Sequence, residues 1–442
     1  MVGTADASGR EKPRVLLILT EFPPRLGGMQ THALYLSNEL HRRGYEIEVV
    51  TYRVLETERR QASELDAGLP FPVRRVLSRL GFWHNVDTIR DRCRHFHPAL
   101  VYSSTIFYGL LAEELGVPVV CRSVGNDVLR PWLAYPFRPG SRVLNAPILE
   151  RRLFDLFQRL RSPEWLETVF REARRELMRR AARAATRILA NSAFTADLLA
   201  TAGVPFDRVE VVVGGVDARR FAPPEANRPA DRARLGLPVD RFLLLTVCRL
   251  EPKKGVEHLL GAFTTLRQRM PDAHLAIVGD GRHALRQREL AAALGLDGSV
   301  TFCGAVAHEE VHSYYWCADL FVLASREWVH PATGVRDAET MGRVLCEANA
   351  AGLPVLTTRS GGIPSVITSD HNGLLVDPDD EAALVEQIGR LRRDDELRST
   401  LVRNGLRAAS RRFDWSVVLE AHERAFAAVL SGTARFRDQD CS

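Results

Sequence analysis

The chain holds 442 residues, 45% of them hydrophobic and 26% charged, with a formal net charge of +5. That length exceeds one ordinary hydrophobic core, so two domains are expected, and the composition excludes a disordered or fibrous protein. The charge is too mild for this size to argue for nucleic acid, and no apolar run approaches the ~18 residues that cross a bilayer.

The opening segment, MVGTADASGREKPR, lacks the apolar stretch of a signal peptide and reads as a loose tail over 1–13, which places the chain in the cytoplasm. RVLLILT (14–20) reads as a buried strand, and 28–43 as a helix that ends before Gly44 as its cap. EIEVVTY, ALVYSS and PVVCRSVG are further strands. From about Ser141 to Arg187 the pattern is long, helical and arginine-rich, and RILANS and RVEVVVGG close this half. DARRFAPPEANRPADRARLGLPVD (217–240) carries proline, alanine and charge without strand character and reads as a linker. The pattern then restarts with six short strands, RFLLLTVCRL, HLAIVGDG, SVTFCG, DLFVLAS, PVLTTRSGG and GLLVD. Strands alternating with crossover helices imply parallel sheets. The expectation is therefore two doubly wound α/β domains, 14–222 and 223–412, facing a shared cleft, with a closing helix and tail over 413–442. Ligands of such sheets bind at the carboxyl edge.

The cysteines number seven, with no CxxC pair, which suggests neither a disulfide framework nor a zinc site. Cys248 and Cys346 sit in apolar runs and read as small core residues. Lysine occurs only at Lys12, Lys253 and Lys254, against a background of arginine. Two adjacent ammonium groups in one loop therefore stand out.

Four constellations carry chemistry. In TEFPPRLGGMQTH, Gly27 and Gly28 precede a helix, where a sharp turn brings amides to an anion at the helix start, or merely begins the helix. The pattern is not GxGxxG; His32, one turn on, is expected exposed or in the core. In CRSVGNDVLR, Asp127 lies past a strand end, to accept bonds from a hydroxylated substrate, orient a nucleophile or cap the next helix. In CRLEPKKGVEHLL, Arg249, Lys254 and a helix start at Gly255 converge on a site suited to phosphate oxygens. In RDAETMGRVLCEANAAGLPV, a continuous helix would hold Glu339 and Glu347 about 12 Å apart and out of register. A better geometry puts Glu339 in a loop, Gly342 at a bend and Glu347 a turn or more into a helix, with the amides of Met341, Gly342 and Arg343 at its start. The two carboxylates then address the two hydroxylated ends of an elongated ligand, a sugar and a ribose diol, with phosphates between.

These motifs, with ANS at 190–192, GGVD at 214–217, GDG at 279–281, FCGAV at 302–306 and SGGIP at 360–364, resemble the retaining GT-B glycosyltransferases of family 4. The resemblance spans nearly the whole chain. It implies transfer of a hexose-type sugar from a UDP- or GDP-linked donor to an acceptor hydroxyl on a lipid, polysaccharide or small metabolite, with no cofactor or bound metal. It assigns Arg249 and Lys254 to the donor diphosphate, Glu347 to the ribose, and Glu339 with the amides of Met341 to Arg343 to the sugar. Gly27, Gly28 and Gly279 fall to the donor site, Val306 to base reading through its backbone, and Asp127 to the catalytic set. The closing helix, FDWSVVLEAHERAFAAVL, is similar to one that returns to the N-terminal domain in this family.

Three positions depart from the family pattern: Val124 where many relatives have His, Ser365 where many have Glu after GGIP, and Cys248 for a usual glycine. The stretch EWVHPATGVRD before Glu339 is also longer than the commonest pattern and bears on donor or acceptor choice. DPDD at 377–380 satisfies DxD, but its place between strand and helix reads as turn and N-cap chemistry. The basic region 151–187 reads as helices that leave arginines in water, or alternatively as a surface for anionic lipid at the inner membrane face. The alternatives to a transferase are a nucleotide-sugar epimerase on a GT-B fold and a non-catalytic membrane- or partner-binding protein. The donor, the acceptor and the oligomeric state are not legible.

Overall fold

The computed structural model describes residues 13–24, 27–79, 81–131, 164–224, 228–331 and 334–437. The expected tail, apart from Pro13, and the basic region up to 163 lie outside them. The chain divides into two compact units. The first takes the described residues up to Asn191, then Thr195–Val212 and those from Leu419 onward; the second takes Ser192–Phe194 and Val213–Val418.

The first unit is built on seven strands: β1 (Arg14–Ile18), β2 (Glu46–Tyr52), β3 (Val73–Leu77), β4 (Leu100–Ser103), β5 (Val119–Ser123), β6 (Arg187–Ala190) and β7 (Val209–Val211). All pair in parallel, in the order β3-β2-β1-β4-β5-β6-β7. Residues 15–18 of β1 and those of β4 are fully buried because helices cover both faces, which is why they read as continuous apolar runs. β3 was not legible in that way. VRRVL carries two arginines and lies at the sheet edge, where Arg75 pairs with Asp66 at 2.8 Å and Arg74 approaches Glu48 at 3.4 Å.

The second unit contains β8 (Phe242–Val247), β9 (Ala273–Val278), β10 (Val300–Gly304), β11 (Leu320–Leu323), the short antiparallel pair β12 (Trp328–Val329) and β13 (Arg336–Asp337), β14 (Val355–Thr358) and β15 (Leu374–Val376). Its six-stranded parallel sheet runs β10-β9-β8-β11-β14-β15, one strand from each of the six expected segments. The chain order reverses beside β8, so the crevice at the carboxyl end of this sheet lies between β8 and β11.

The second unit starts at Val213, ahead of the expected boundary at 222–223, because the proline-rich segment is packed rather than free. Phe221 is in the core, and Arg232 is buried with its guanidinium donating to the carbonyls of Cys317 (2.8 Å) and Arg241 (2.9 Å) and to Asp319 (2.8 Å). The last helix, Trp415–Arg437, belongs to the second unit through Val418 and to the first from Leu419. In the first unit its His422 and Phe426 are buried beside Tyr102, whose hydroxyl lies 3.3 Å from Nε2 of both His422 and His32. His32 is thus a core residue. None of the described helices is long and apolar enough to cross a membrane.

Replacing Arg232 by Met removes the donors and leaves Asp319 without its buried cation. The expected cost is about 3 kcal/mol, read as a lower denaturant midpoint of the full chain.

Candidate active site

Nine of the twelve residues singled out above lie in the second unit, on the loops that leave its parallel strands at one edge: Arg249 and Lys254 after β8, Gly279 after β9, Val306 after β10, and the run from Glu339 to Glu347 after β11. Parallel strands place all these exits on one side, and β8 and β11 flank the crevice. Gly27, Gly28 and Asp127 belong to the first unit.

The loop after β11 has the expected form. Gly342 adopts φ +85°, the left-handed conformation a glycine tolerates, and caps the helix Arg343–Ala350 with no side-chain bond. Glu339 lies before the bend, and Glu347 lies just past the first turn of the helix; both are buried. Among the described residues the Met341 and Gly342 amides donate no hydrogen bond, so donors remain at the helix start.

The two lysines are divided between two acids two residues apart. Lys254, partly buried, forms an ion pair with the buried Glu339. Lys253, also buried, donates to Asp337 Oδ1 at 2.9 Å and to the Ala338 carbonyl at 3.1 Å. Burial alone would raise the Glu339 carboxyl, but Lys254, with Lys253 and Arg249 behind it, holds it below its ordinary 4.5. Burial likewise opposes the Lys254 ammonium, and Glu339 outweighs it, keeping the ammonium above 10.5. Burial presses the Lys253 ammonium below 10.5 despite Glu339 and Asp337. Arg249 is exposed at the strand end, with no ion pair to any described residue.

Backbone packing fixes these loops. At Gly255 (φ +65°) any Cβ would collide with the Ala324 carbonyl, and at Gly279 with that of Cys248. Gly279 thus lets the β9 exit lie against the β8 exit, where the Leu250 amide donates to Asp280 at 3.0 Å. In SGGIP, a Cβ on Gly361 or Gly362 would strike the carbonyl of Glu339 or Thr340, and the Gly362 amide donates to the Glu339 carbonyl at 2.8 Å. Val306 is half-buried, and its backbone makes no hydrogen bond to a described residue.

The departures from the family pattern also resolve. Cys248 is buried, and burial pushes its thiol up to about 11, eased by Lys254, so it is an inert filler of the strand end. Cys346 is fully buried in the same core. Ser365 accepts from the Ala193 amide at 2.9 Å, a bond that supports the start of the helix Ala193–Thr201. Val124 offers its carbonyl to Asn191 at 3.2 Å.

Asp127 is half-buried with both oxygens engaged: Oδ1 accepts from Ser123 Oγ at 2.7 Å and Oδ2 from the Ile106 amide at 3.2 Å. Burial raises its carboxyl against those bonds. This ties the β5 exit to the β4 exit. Gly27 is extended at φ 173°, not turned, and caps the helix Gly28–Arg42 by its carbonyl alone. The sharp turn expected there is absent, and the Gln30 side chain lies over Gly27, where a Cβ would meet its Oε1 at 2.6 Å.

DPDD behaves as expected. Asp380 caps the helix Glu381–Arg393 by accepting from the Ala383 amide at 2.8 Å, and Asp379 (φ +66°) pairs with Arg326 at 3.1 Å. Among the described residues no cluster of three or more His, Cys, Asp or Glu is placed to hold a metal. In the described part of the basic region, the helix Glu164–Ala184, Leu177, Met178 and Ala181 are buried, while Arg175 and Arg180 pair with Glu172 and Glu113.

Sequence reasoning singled out Lys253 beside Lys254 but gave it no role, and missed Asp337 and Tyr315, whose hydroxyl donates to Glu347 Oε2 at 2.9 Å. The scarcity of lysine was a signal for Lys253, and the repeat of an acid two residues before Glu339 a signal for Asp337.

Two family profiles match the chain: Glycosyltransferase Family 4 over residues 26–220 and Glycosyl transferases group 1 over 227–408. The GDP-mannose-dependent alpha-(1-6)-phosphatidylinositol monomannoside mannosyltransferase of Mycolicibacterium smegmatis is 36% identical over 203 residues, 46% of this chain and 52% of that protein. The D-inositol 3-phosphate glycosyltransferase of Xylanimonas cellulosilytica is 36% identical over 227 residues, 50% of this chain and 51% of that protein. The chain thus spans about half the length of the curated relatives it matches. Among solved structures, Anabaena HepE in complex with UDP aligns with a TM-score of 0.70 at 19% identity over 94% of this chain and 100% of that one. Sucrose-phosphate synthase from Thermosynechococcus elongatus aligns at 0.69 and 19% over 95% and 100%. These likenesses define the class of fold, the GT-B arrangement of two parallel-sheet domains. With both halves matched, the chain belongs to the family 4, group 1 glycosyltransferases.

The Lys254–Glu339 pair has a pH signature. Glu339, depressed below 4.5, contributes stability that is present above that pH and lost as pH falls through its lowered value. Lys254, raised above 10.5, contributes stability that is present below that pH and lost as pH climbs through its raised value. Thermal unfolding of wild type against the Lys254→Met/Glu339→Gln double variant should show a difference that is constant between about pH 5 and 10 and changes outside that window.

Proposed function

We propose that the protein transfers a hexose-type sugar from a UDP- or GDP-linked donor to an acceptor hydroxyl, with retention of anomeric configuration. The observation that carries this reading is the Lys254–Glu339 pair at the β8–β11 crevice: a cation for phosphate and a carboxylate for sugar hydroxyls, largely shielded from solvent and beside amides that donate to no described residue.

In this reading Lys254 and Arg249 neutralise the charge that grows on the leaving diphosphate, and the shielded setting of Lys254 strengthens its share. Glu339 stays ionised at neutral pH and only accepts hydrogen bonds, which orients the sugar. The Met341 and Gly342 amides and the helix start face the phosphates. Glu347 accepts from the ribose diol, and the Val306 backbone reads the base. Asp127 already has both oxygens occupied, so the acceptor's proton is assigned to the leaving phosphate oxygen and Asp127 to holding its loop. No metal takes part, and turnover is expected to persist in EDTA.

The relatives' names bring GDP-mannose and inositol-bearing acceptors to the front of any trial. A lipid acceptor would suit contact of the basic region with an anionic membrane face.

Lys254→Ala is expected to lower kcat/KM by about 100-fold or more with an unchanged circular-dichroism spectrum; near-wild-type turnover overturns the assignment. The anomeric proton couplings of the product, followed by NMR, should match those of the donor, and donor incubated without acceptor should stay unconverted.

A further inference from the structure

Glu347 is held from two sides by groups of different mobility. Tyr315, on the helix His312–Cys317, is fully buried, stacked on Phe321 (centroids 5.5 Å apart, planes at 22°) and edge-on to Phe221 at 5.6 Å. Its hydroxyl donates to Glu347 Oε2 at 2.9 Å. Burial, and then the facing carboxylate, raise the phenol well above its ordinary 10, so it stays protonated and points its one proton at Glu347. The other oxygen, Oε1, meets Arg343 Nε at 3.3 Å, one turn back on the same helix. The Arg343 side chain is 23% exposed, against 6% for Glu347.

From this asymmetry the geometry points to Tyr315 as the positioning residue that aims Glu347 at a vicinal diol, with Arg343 as the displaceable occupant of Oε1. The inference rests on the proposed nucleotide site. Phe321 and Phe221 wedge the phenol in place, so Oε2 cannot rotate away, and the carboxylate plane is set before any ligand arrives. Arg343 lies at the outer side and keeps Oε1 from standing unpaired; a ribose hydroxyl pair takes over that oxygen when it binds. The site thereby selects ribonucleotides over nucleotides lacking the diol, because a ligand without those hydroxyls leaves Arg343 on Oε1 and makes no bond there.

The test is calorimetric binding of UDP and GDP, each against its 2′,3′-dideoxy counterpart, to the full chain. The ratio of dideoxy to ribo dissociation constants is the readout, since general loosening of the fold moves both ligands alike. For wild type and the better-bound base the ratio should be large. Tyr315→Phe, which removes one oxygen from a packed ring, should cut it about tenfold while dideoxy binding holds. Arg343→Met, at a more exposed position, should raise the ratio, which keeps the idea testable if Tyr315→Phe folds poorly. An unchanged ratio in Tyr315→Phe overturns the role given to Tyr315; an unchanged ratio in Arg343→Met overturns the exchange at Oε1 and with it the inference. A Glu347→Gln variant separates the premises. If that variant keeps the wild-type ratio, Glu347 does not meet the ribose and the proposed nucleotide site fails; if it loses the ratio while Tyr315→Phe does not, only the present inference fails.

Discussion

Two lysines adjacent in sequence, Lys253 buried and Lys254 largely shielded, lie in the second unit, and each must find a carboxylate or lose its charge, because an unpaired ammonium cannot be carried far from water. Asp337 and Glu339 answer them, two residues apart on the loop that leaves β11. The strands that deliver the two sides of this contact, β8 and β11, are neighbours at the point where the sheet reverses its chain order. The fold therefore brings together, from distant parts of the sequence, a cation suited to phosphate and a carboxylate suited to hydroxyls. The remaining features of the site are arranged around that double pairing.

Main-chain crowding supplies the rigidity. Gly255, Gly279, Gly361 and Gly362 each sit where a Cβ would strike a carbonyl of an adjoining strand exit, and two of these carbonyls belong to Glu339 and Thr340 themselves. The four strand exits are in effect stacked backbone on backbone. An ion pair on mobile loops would spend much of its attraction on ordering its own side chains; here the neighbouring chain has done so already. The asymmetry around Glu347 follows the same logic, with one partner locked in an aromatic wedge and the other near solvent.

The inner parallel strands of the second unit were legible because they are covered on both faces and read as apolar runs between turn residues, while the half-buried edge strand β10 was read from its short β-rich segment. So was the bend at Gly342, since a continuous helix would have set the two glutamates out of register. β3 escaped because an edge strand with salt-bridged arginines has no such run. The proline-rich segment was misjudged as a linker for a related reason: Arg232 looks like surface until the carbonyls and carboxylate that surround it are known. Tyr315 and Lys253 were invisible as partners, because the sequence does not say which ring or ammonium a distant fold will press against which acid. Gly27 shows the converse error, a glycine read for its turn that in fact sits in an extended conformation any residue adopts.

The β12–β13 hairpin has a further consequence. It ends at Asp337, and the Lys253 ammonium grips that side chain together with the next carbonyl, just before the chain reaches Glu339. A clamp at that point isolates what lies on either side. The tip beyond Trp328 and Arg336 can be lengthened, shortened or recoloured over evolutionary time while the carboxylate downstream keeps its address. Such insulation offers a lineage a way to change what the tip touches without rebuilding the core of the site.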